Sequence, residues 1–204
     1  MAIYLIRHTT PAIDKGICYG QSDLDVKESF FQEVSGILPY LPKKITQVYS
    51  SPLMRCSKLA HCLFPGIKIL WEANLMEIDC GDWEMKKWDE IPKEEIDPWM
   101  NNFVEQSIPG GESYSVLYKR VLECFNQIKS VRGNLVLVTH GGVIRSILSH
   151  ITQTPLIDSF KIFSLHYGCV VKLNQFENRI VPEILYNTEP AEKEMHKPSS
   201  FYRR

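Results

Sequence analysis

The sequence has little of the features that mark several large classes of protein. Lys and Arg number 23 and Asp and Glu 24, so the net charge is −1 and no basic excess favours nucleic acid or an anionic membrane. No apolar stretch approaches the roughly 20 residues of a membrane-spanning helix. The first apolar run stops at Arg7-His8, too early for a signal-peptide core, which favours a cytoplasmic protein. We therefore expect neither a nucleic-acid nor a membrane partner.

Patterns typical of disulfides and metal sites are also missing. The six cysteines include no C-x-x-C pair, and each sits singly in an apolar pattern, where free cysteine behaves as a small buried hydrophobe. The histidines show no H-x-H or H-E-x-x-H spacing. We expect structural thiols and no bound metal.

The 204 residues, 44% apolar and 23% charged, are enough for one well-packed domain. Strand-like runs alternate with helical patterns, which predicts an α/β fold: a single three-layer α/β/α domain with a mostly parallel sheet. Strands are predicted at 2–7, 47–50, 67–71 and 135–139, and helices near 27–41, from Ser51-Pro52, at 113–128 and from 143. Two late β-prone runs, 169–173 and 179–185, are expected at a sheet edge. The predicted domain covers 1–188, followed by a polar tail at 189–204.

Two of the predicted strands end in a histidine. The first ends in Ile6-Arg7-His8 and the second in Thr139-His140-Gly141. Because the carboxyl ends of parallel strands form the ligand-binding edge of such sheets, both imidazoles should enter one crevice. The guanidinium of Arg7 matches phosphate oxygens and favours a neutral imidazole beside it, which is the form that a nucleophile needs. The pattern indicates chemistry on a phosphate.

Other residues fit this chemistry less specifically. Arg55 lies in the first turn after Ser51-Pro52, where a helix N-terminus favours an anion. Seven carboxylates lie between Glu72 and Glu90, and one beside a phosphate dianion can act as a general acid, although spacing does not say which. A zinc site built from the two histidines and a carboxylate is the weaker alternative, because the arginines would repel a cation.

Four segments together resemble the histidine phosphatase (phosphoglycerate mutase-like) superfamily: Leu5–Thr9, Ser50–Arg55, Leu75–Glu77 and Thr139–Gly142. The resemblance implies a phosphoglycerate mutase-like fold and a phosphoric monoester hydrolase that needs no metal or other cofactor. It also implies that the partner of this protein is a small-molecule phosphate monoester.

The same resemblance assigns roles to individual residues. His8 matches the nucleophile that becomes phosphorylated. Arg7, Arg55 and His140 match the residues that hold the phosphoryl oxygens, and Gly141 belongs to the same substrate-binding turn. Glu77 matches the proton donor to the leaving oxygen and then the base that activates water.

The chain departs from the family pattern at several positions. Thr9 and Thr10 follow the histidine in place of glycine and an acidic residue or glutamine. Asp14 stands where asparagine is common, and Met85 where glycine often follows Trp-Glu. None of these positions belongs to the catalytic set.

A finer resemblance comes from Arg7–Pro11, Cys18–Leu24 and Gly81–Glu84, which together are similar to the α-ribazole phosphatase branch of the nucleotide-loop steps of cobalamin synthesis. It implies that Gln21 faces the substrate near the phosphate. Three alternatives stay open. One is a broad-specificity small-molecule phosphatase, and another is a phosphoglycerate mutase, which the short stretch between Glu77 and His140 disfavours. The third is an inactive binding module, which retention of all five catalytic residues disfavours.

The segment 78–112 is rich in tryptophan, acidic residues and proline. We expect it to be irregular with short helices, and a lid over the pocket is a hypothesis for it. Trp83, Trp88 and Tyr114 either pack inside the protein or stack on a base of the substrate. The sequence does not indicate the oligomeric state.

Overall fold

The computed structural model describes residues 1–177 and 179–189, and within them a single sheet has six strands. These are β1 (Ala2–Arg7), β2 (Gln47–Ser50), β3 (Ile69–Trp71), β4 (Leu135–Thr139), β5 (Val170–Phe176) and β6 (Arg179–Tyr186). The spatial order is β3-β2-β4-β1-β5-β6. Strands β1 to β4 pair in parallel, whereas β5 runs antiparallel to both β1 and β6. The mostly parallel sheet and the late strands at its edge are confirmed.

The helices are α1 (Phe30–Ile37), α2 (Met54–Leu63), α3 (Lys93–Asn102), α4 (Tyr114–Ile128), α5 (Gly141–Thr152) and α6 (Ser159–Ile162). Short 3₁₀ turns lie at Leu38–Tyr40, Ala73–Leu75, Gly81–Trp83, Trp88–Glu90 and Leu156–Asp158. None of the helices in the described part of the chain is both long and apolar enough to cross a membrane.

The sheet is covered on both faces, because successive apolar side chains of β1 point to opposite faces and both sets are buried. Ile3 and Leu5 pack into a core with α4 and α5, whereas Tyr4 and Ile6 pack into a second core with α1 and α2. Successive strand residues point to opposite faces, so a strand buried on both sides is apolar throughout. The predicted α/β/α layering is confirmed. The predicted polar tail falls, apart from Glu189, outside the described residues.

One predicted helix start is wrong by two residues. Helix α2 begins at Met54, because Leu53 is still extended (φ −61°, ψ 138°), and no side chain caps the helix. The hydroxyl of Ser51 lies instead 2.8 Å from His140 Nε2. The serine therefore supports the neighbouring strand end and does not cap the helix that follows it.

The segment 78–112 has a core of its own. Trp83, Trp88 and Trp99 are buried with ring centroids 5.5–6.2 Å apart, and Tyr114 is also buried. The tryptophans and the tyrosine therefore pack inside the protein and present no surface to a base. The short helices expected here are present, and the lid stays a prediction.

Met85, at a position where the family pattern noted above often has glycine, has a backbone conformation that favours glycine. Its φ is +65°, in the left-handed region, and its side chain is 53% exposed. A side chain in this region costs about 1–2 kcal/mol because Cβ approaches the following carbonyl oxygen. The methionine therefore introduces local strain without compensating burial.

We expect Met85→Gly to raise the free energy of unfolding by about 0.5–1 kcal/mol, because relief of strain outweighs the added freedom of the unfolded chain. Lys119→Gly, at an exposed position within α4, is the control and should lower the free energy of unfolding by about 1 kcal/mol. Urea unfolding of both variants measures the difference, and a destabilised Met85→Gly would contradict the strain.

Candidate active site

The two predicted histidines meet at one edge of the sheet. Arg7 ends β1 and pairs in register with Thr139, the last residue of β4, so His8 and His140 leave neighbouring parallel strands at the same level. The backbone N–H of His8 donates to the Thr139 carbonyl at 2.9 Å. The two imidazole centroids are 5.1 Å apart. Register between β1 and β4 therefore brings the two rings together.

The hydrogen bonding of His8 determines which of its nitrogens is nucleophilic. Nδ1 lies 2.7 Å from the Thr9 carbonyl oxygen. A carbonyl oxygen only accepts, so Nδ1 carries the proton, and in the neutral ring the lone pair lies on Nε2. The side chain is 2% exposed and its ring lies 5.4 Å from that of Tyr167. The tautomer suits attack through Nε2.

Both predicted arginines are buried at this edge and are oriented by backbone carbonyls. Arg7 Nη1 donates to the Leu165 carbonyl, and its Cζ lies 4.0 Å from the centre of the Tyr167 ring. Arg55 donates to the carbonyls of Gly20 (2.6 Å) and Ser22 (2.8 Å). Carbonyls carry no net charge, so these bonds orient a guanidinium without neutralising it. Within the described residues, buried Arg55 Nε has no hydrogen-bond partner.

His140 is held as a neutral ring. Burial, followed by the charges of Arg55, His8 and Arg7, holds its pKa well below the usual value for histidine. Its Nε2 lies 2.8 Å from Ser51 Oγ and 3.4 Å from Cys56 Sγ. Burial also raises the pKa of the Cys56 thiol to about 12. The thiol stays protonated, so Cys56 is not a competing nucleophile.

Glu77 lies at the N-terminus of α5, next to the strand end that carries His140. Its Oε2 accepts from the backbone N–H of Gly142 at 3.0 Å, and its Oε1 from that of Ile78 at 2.9 Å. A Cβ on Gly142 would collide with the carboxylate, so glycine is required there. A Cβ on Gly141 would lie 3.3 Å from Arg7 Nε, so that position is crowded as well.

Gln21 contacts the backbone of Glu77. Its Nε2 donates to the Glu77 carbonyl at 3.1 Å, and Arg120 Nη2 donates to the same oxygen at 2.8 Å. Gln21 is thus close to the predicted site and bonded to the backbone of its acid. Asp14 is exposed, whereas Thr9 is fully buried.

Sequence reasoning missed three residues that shape this site. Arg120, on α4, also donates to the Met76 carbonyl and so holds the stretch of chain that carries Glu77. Tyr19 and Tyr167 hydrogen-bond to each other through their hydroxyls, and each ring lies against one of the two arginines. Tyr19 lies inside the matched segment Cys18–Leu24, which was a usable signal. Nothing near Arg120 or Tyr167 in the sequence marks them.

No group of three or more His, Cys, Asp or Glu side chains in residues 1–177 and 179–189 is arranged to hold a metal ion. The carboxylate of Glu77, at the N-terminus of α5, accepts hydrogen bonds from two backbone N–H groups. The weaker zinc alternative therefore finds no ligand set in this part of the chain.

The buried neutral His140 should make stability depend on pH. Below a pH of about 6.5 the unfolded chain binds a proton at His140 that the folded chain does not. The contribution of His140 to the free energy of unfolding is therefore fully present above that pH and is lost as the pH falls. The stability difference between the wild type and His140→Gln should therefore change by up to about 1.4 kcal/mol per pH unit between pH 6.5 and 5. Urea unfolding across this range measures it, with His61→Gln at an exposed position of α2 as the matched control. Parallel curves for the wild type and His140→Gln would contradict the neutral ring.

Comparison with known proteins identifies the family of the chain. Residues 3–188 match the histidine phosphatase superfamily (branch 1). A protein of Hydrogenobacter thermophilus provisionally named phosphoserine phosphatase 2 is 30% identical over 168 residues, covering 78% of this chain and 83% of its own. The metal-independent phosphoserine phosphatase of Arabidopsis thaliana is 32% identical over 165 residues, covering 74% and 68% respectively.

Solved structures show the same fold. The α-ribazole phosphatase of Shigella flexneri superposes with a TM-score of 0.83 at 20% identity, covering 92% of this chain and 96% of its own. Phosphoglycerate mutase of Thermus thermophilus superposes with a TM-score of 0.69 at 24% identity, covering 92% and 100%. The family match spans most of the chain and includes both histidine-bearing strand ends. The chain therefore belongs to branch 1 of the histidine phosphatase superfamily and is a phosphatase.

Proposed function

We propose that this phosphatase hydrolyses small-molecule phosphate monoesters through a phosphohistidine at His8, without a metal, and that its substrate is α-ribazole 5′-phosphate. The observation that carries the chemistry is the tautomer of His8, whose Nδ1–H donates to the Thr9 carbonyl. It presents Nε2 as the nucleophile at the edge where two buried guanidinium groups also lie.

In the first step, His8 Nε2 attacks phosphorus and the bond from phosphorus to the ester oxygen breaks. The electron pair leaves with that oxygen, which takes a proton from the Glu77 carboxyl group. Arg7 and Arg55 hold the phosphoryl oxygens, and the neutral ring of His140 contributes a hydrogen bond. The products of this step are an alcohol and phosphohistidine.

In the second step, water attacks phosphorus and the bond from phosphorus to Nε2 breaks. Glu77, now a carboxylate, accepts the proton of the water. Inorganic phosphate leaves, and His8 returns to the tautomer that its bond to Thr9 favours. One carboxyl group thus serves as acid and then as base, and its two bonds to backbone N–H groups hold it in place for both steps.

The choice of substrate rests on the motif resemblance of Cys18–Leu24 and Gly81–Glu84 to the α-ribazole phosphatase branch, which would place the reaction in cobalamin biosynthesis. The two segments contact each other, since Glu84 accepts hydrogen bonds from Gly20, Gln21 and Ser22. Phosphoserine is the second candidate, because two sequence relatives at 30% and 32% identity carry that activity in their names. A broad-specificity phosphatase, a phosphoglycerate mutase and an inactive binding module are further outcomes to test. Cytoplasmic location stays a prediction from the sequence.

Phosphate release from a panel of esters tests the substrate. The panel contains α-ribazole 5′-phosphate, phosphoserine, 3-phosphoglycerate, nucleoside 5′-monophosphates and phosphotyrosine, with EDTA present and His8→Ala as the control. We expect the highest kcat/KM on α-ribazole 5′-phosphate, undiminished by EDTA and lost in the control. If kcat/KM is highest on phosphoserine, phosphoserine is the substrate and the proposed mechanism still holds. Activity that disappears with EDTA, or none on any ester, would overturn the proposed chemistry.

Substitution of the acid tests its role. Glu77→Gln should lower kcat on an alkyl phosphate by about 10²–10⁴-fold, because the alkoxide leaving group needs a proton. The loss on p-nitrophenyl phosphate should be much smaller, because its leaving group departs as a stable anion. Glu72→Gln is the matched control, since the Glu72 carboxylate accepts from the N–H of the nearby Asn74. Equal losses on the two esters would remove Glu77 from the role of acid.

A further inference from the structure

The carboxylate of Glu84 collects several hydrogen-bond donors outside the catalytic set. It accepts from the backbone N–H groups of Gly20 (2.9 Å), Gln21 (2.8 Å), Ser22 (3.1 Å) and Cys80 (3.0 Å), and from the hydroxyl of Ser22. Burial raises the pKa of the Glu84 carboxyl, but these hydrogen bonds outweigh burial and hold the pKa below its usual range. The group therefore stays ionised and binds three consecutive N–H groups of one loop.

The opposite side of the same loop holds Arg55. The Gly20 carbonyl accepts from Arg55 Nη2 at 2.6 Å, and the Ser22 carbonyl accepts from Nη1 at 2.8 Å. The loop 20–22 thus lies between an anion on its N–H side and a cation on its carbonyl side. A Cβ on Gly20 would collide with the Ile78 carbonyl, which leaves the loop little freedom to shift.

This arrangement orients Arg55 without pairing it with a carboxylate. In the part of the chain that the structure describes, the ion pairs do not include Arg55. A direct ion pair would compete with phosphate for the guanidinium, whereas two carbonyls orient it and leave its charge available. The carboxylate of Glu84, which stabilises the loop 20–22, lies on the opposite side of that loop from the Arg55 guanidinium.

We propose that Glu84 is a positioning residue for phosphate binding: it immobilises the loop 20–22 so that the carbonyls of Gly20 and Ser22 aim the Arg55 guanidinium at the phosphoryl group. The proposal rests on the proposed function of the site. It assigns Glu84 an effect on phosphate affinity, although Glu84 itself touches no substrate. A residue that only stabilised the fold would lack this link to Arg55.

Glu84→Gln tests the proposal because the amide nitrogen cannot accept, so at least one loop N–H group loses its partner. We expect kcat/KM for p-nitrophenyl phosphate to fall about 100-fold, the loss typical of a 1 Å misplacement, mainly through KM. The inhibition constant for inorganic phosphate should rise by a similar factor. Glu95→Gln, whose carboxylate accepts from Trp83 Nε1 in the same segment, is the matched control and should stay within about 2-fold of the wild type.

A double-mutant cycle separates positioning from general destabilisation. In an Arg55→Ala background, Glu84→Gln should lower kcat/KM by no more than about 2-fold, because the group that it positions is gone. Ser22→Ala removes one donor and keeps the carboxylate, so it should weaken phosphate inhibition less than Glu84→Gln does. If Glu84→Gln does not fold, the milder variant Ser22→Ala is used to test the proposal.

Two results would overturn the proposal. One is an equal effect of Glu84→Gln with and without Arg55, and the other is an unchanged inhibition constant for phosphate in a folded Glu84→Gln. If the wild type hydrolyses no ester, the proposed function fails, and calorimetric titration of inorganic phosphate into the same variants still tests the positioning. The two failures are therefore distinguishable.

Discussion

The buried guanidinium of Arg55, which forms no ion pair within the described residues, is the constraint on which much of this structure depends. Arg55 is fully buried, and its bonds go to two backbone carbonyls. Burying a charge is costly unless it is hydrogen-bonded, so the loop 20–22 must hold one fixed conformation. Glu84 holds the loop in that conformation by accepting hydrogen bonds from its N–H groups, on the side opposite to Arg55. The arrangement leaves the positive charge of Arg55 in place, and the local fold is built around that charge.

The same charge contributes to the state of His140. Burial first, and then the charges of Arg55 and Arg7, disfavour a cationic His140, so the ring stays neutral. His8 achieves a defined tautomer through the carbonyl of the residue that follows it. The groups at this edge thus differ in state: the guanidinium groups carry charge, His140 is a neutral ring and His8 has a defined tautomer.

The meeting of the predicted site residues was foreseeable because it follows from strand order and local chemistry. Arg7-His8 and His140-Gly141 stand at the ends of apolar runs, and parallel pairing of β1 with β4 brings such ends together. Gly142 was recognisable as a turn residue from the sequence. The structure shows why glycine is required there, since the Glu77 carboxylate occupies the space that a side chain would need. The helix start at Ser51-Pro52 was wrong because Ser51 bonds to His140, a partner 89 positions away.

The sequence by itself determined the layered α/β fold, the family and the residues able to carry phosphate chemistry. These follow from apolar periodicity and short motifs, in which neighbours along the chain are enough. Only the tertiary structure decided how those residues are held. The carbonyls that orient Arg55, the donors that bind Glu84 and the guanidinium of Arg120 behind Glu77 come from separate segments. Such contacts depend on backbone groups, which are alike in all residues except proline and leave no trace in the sequence.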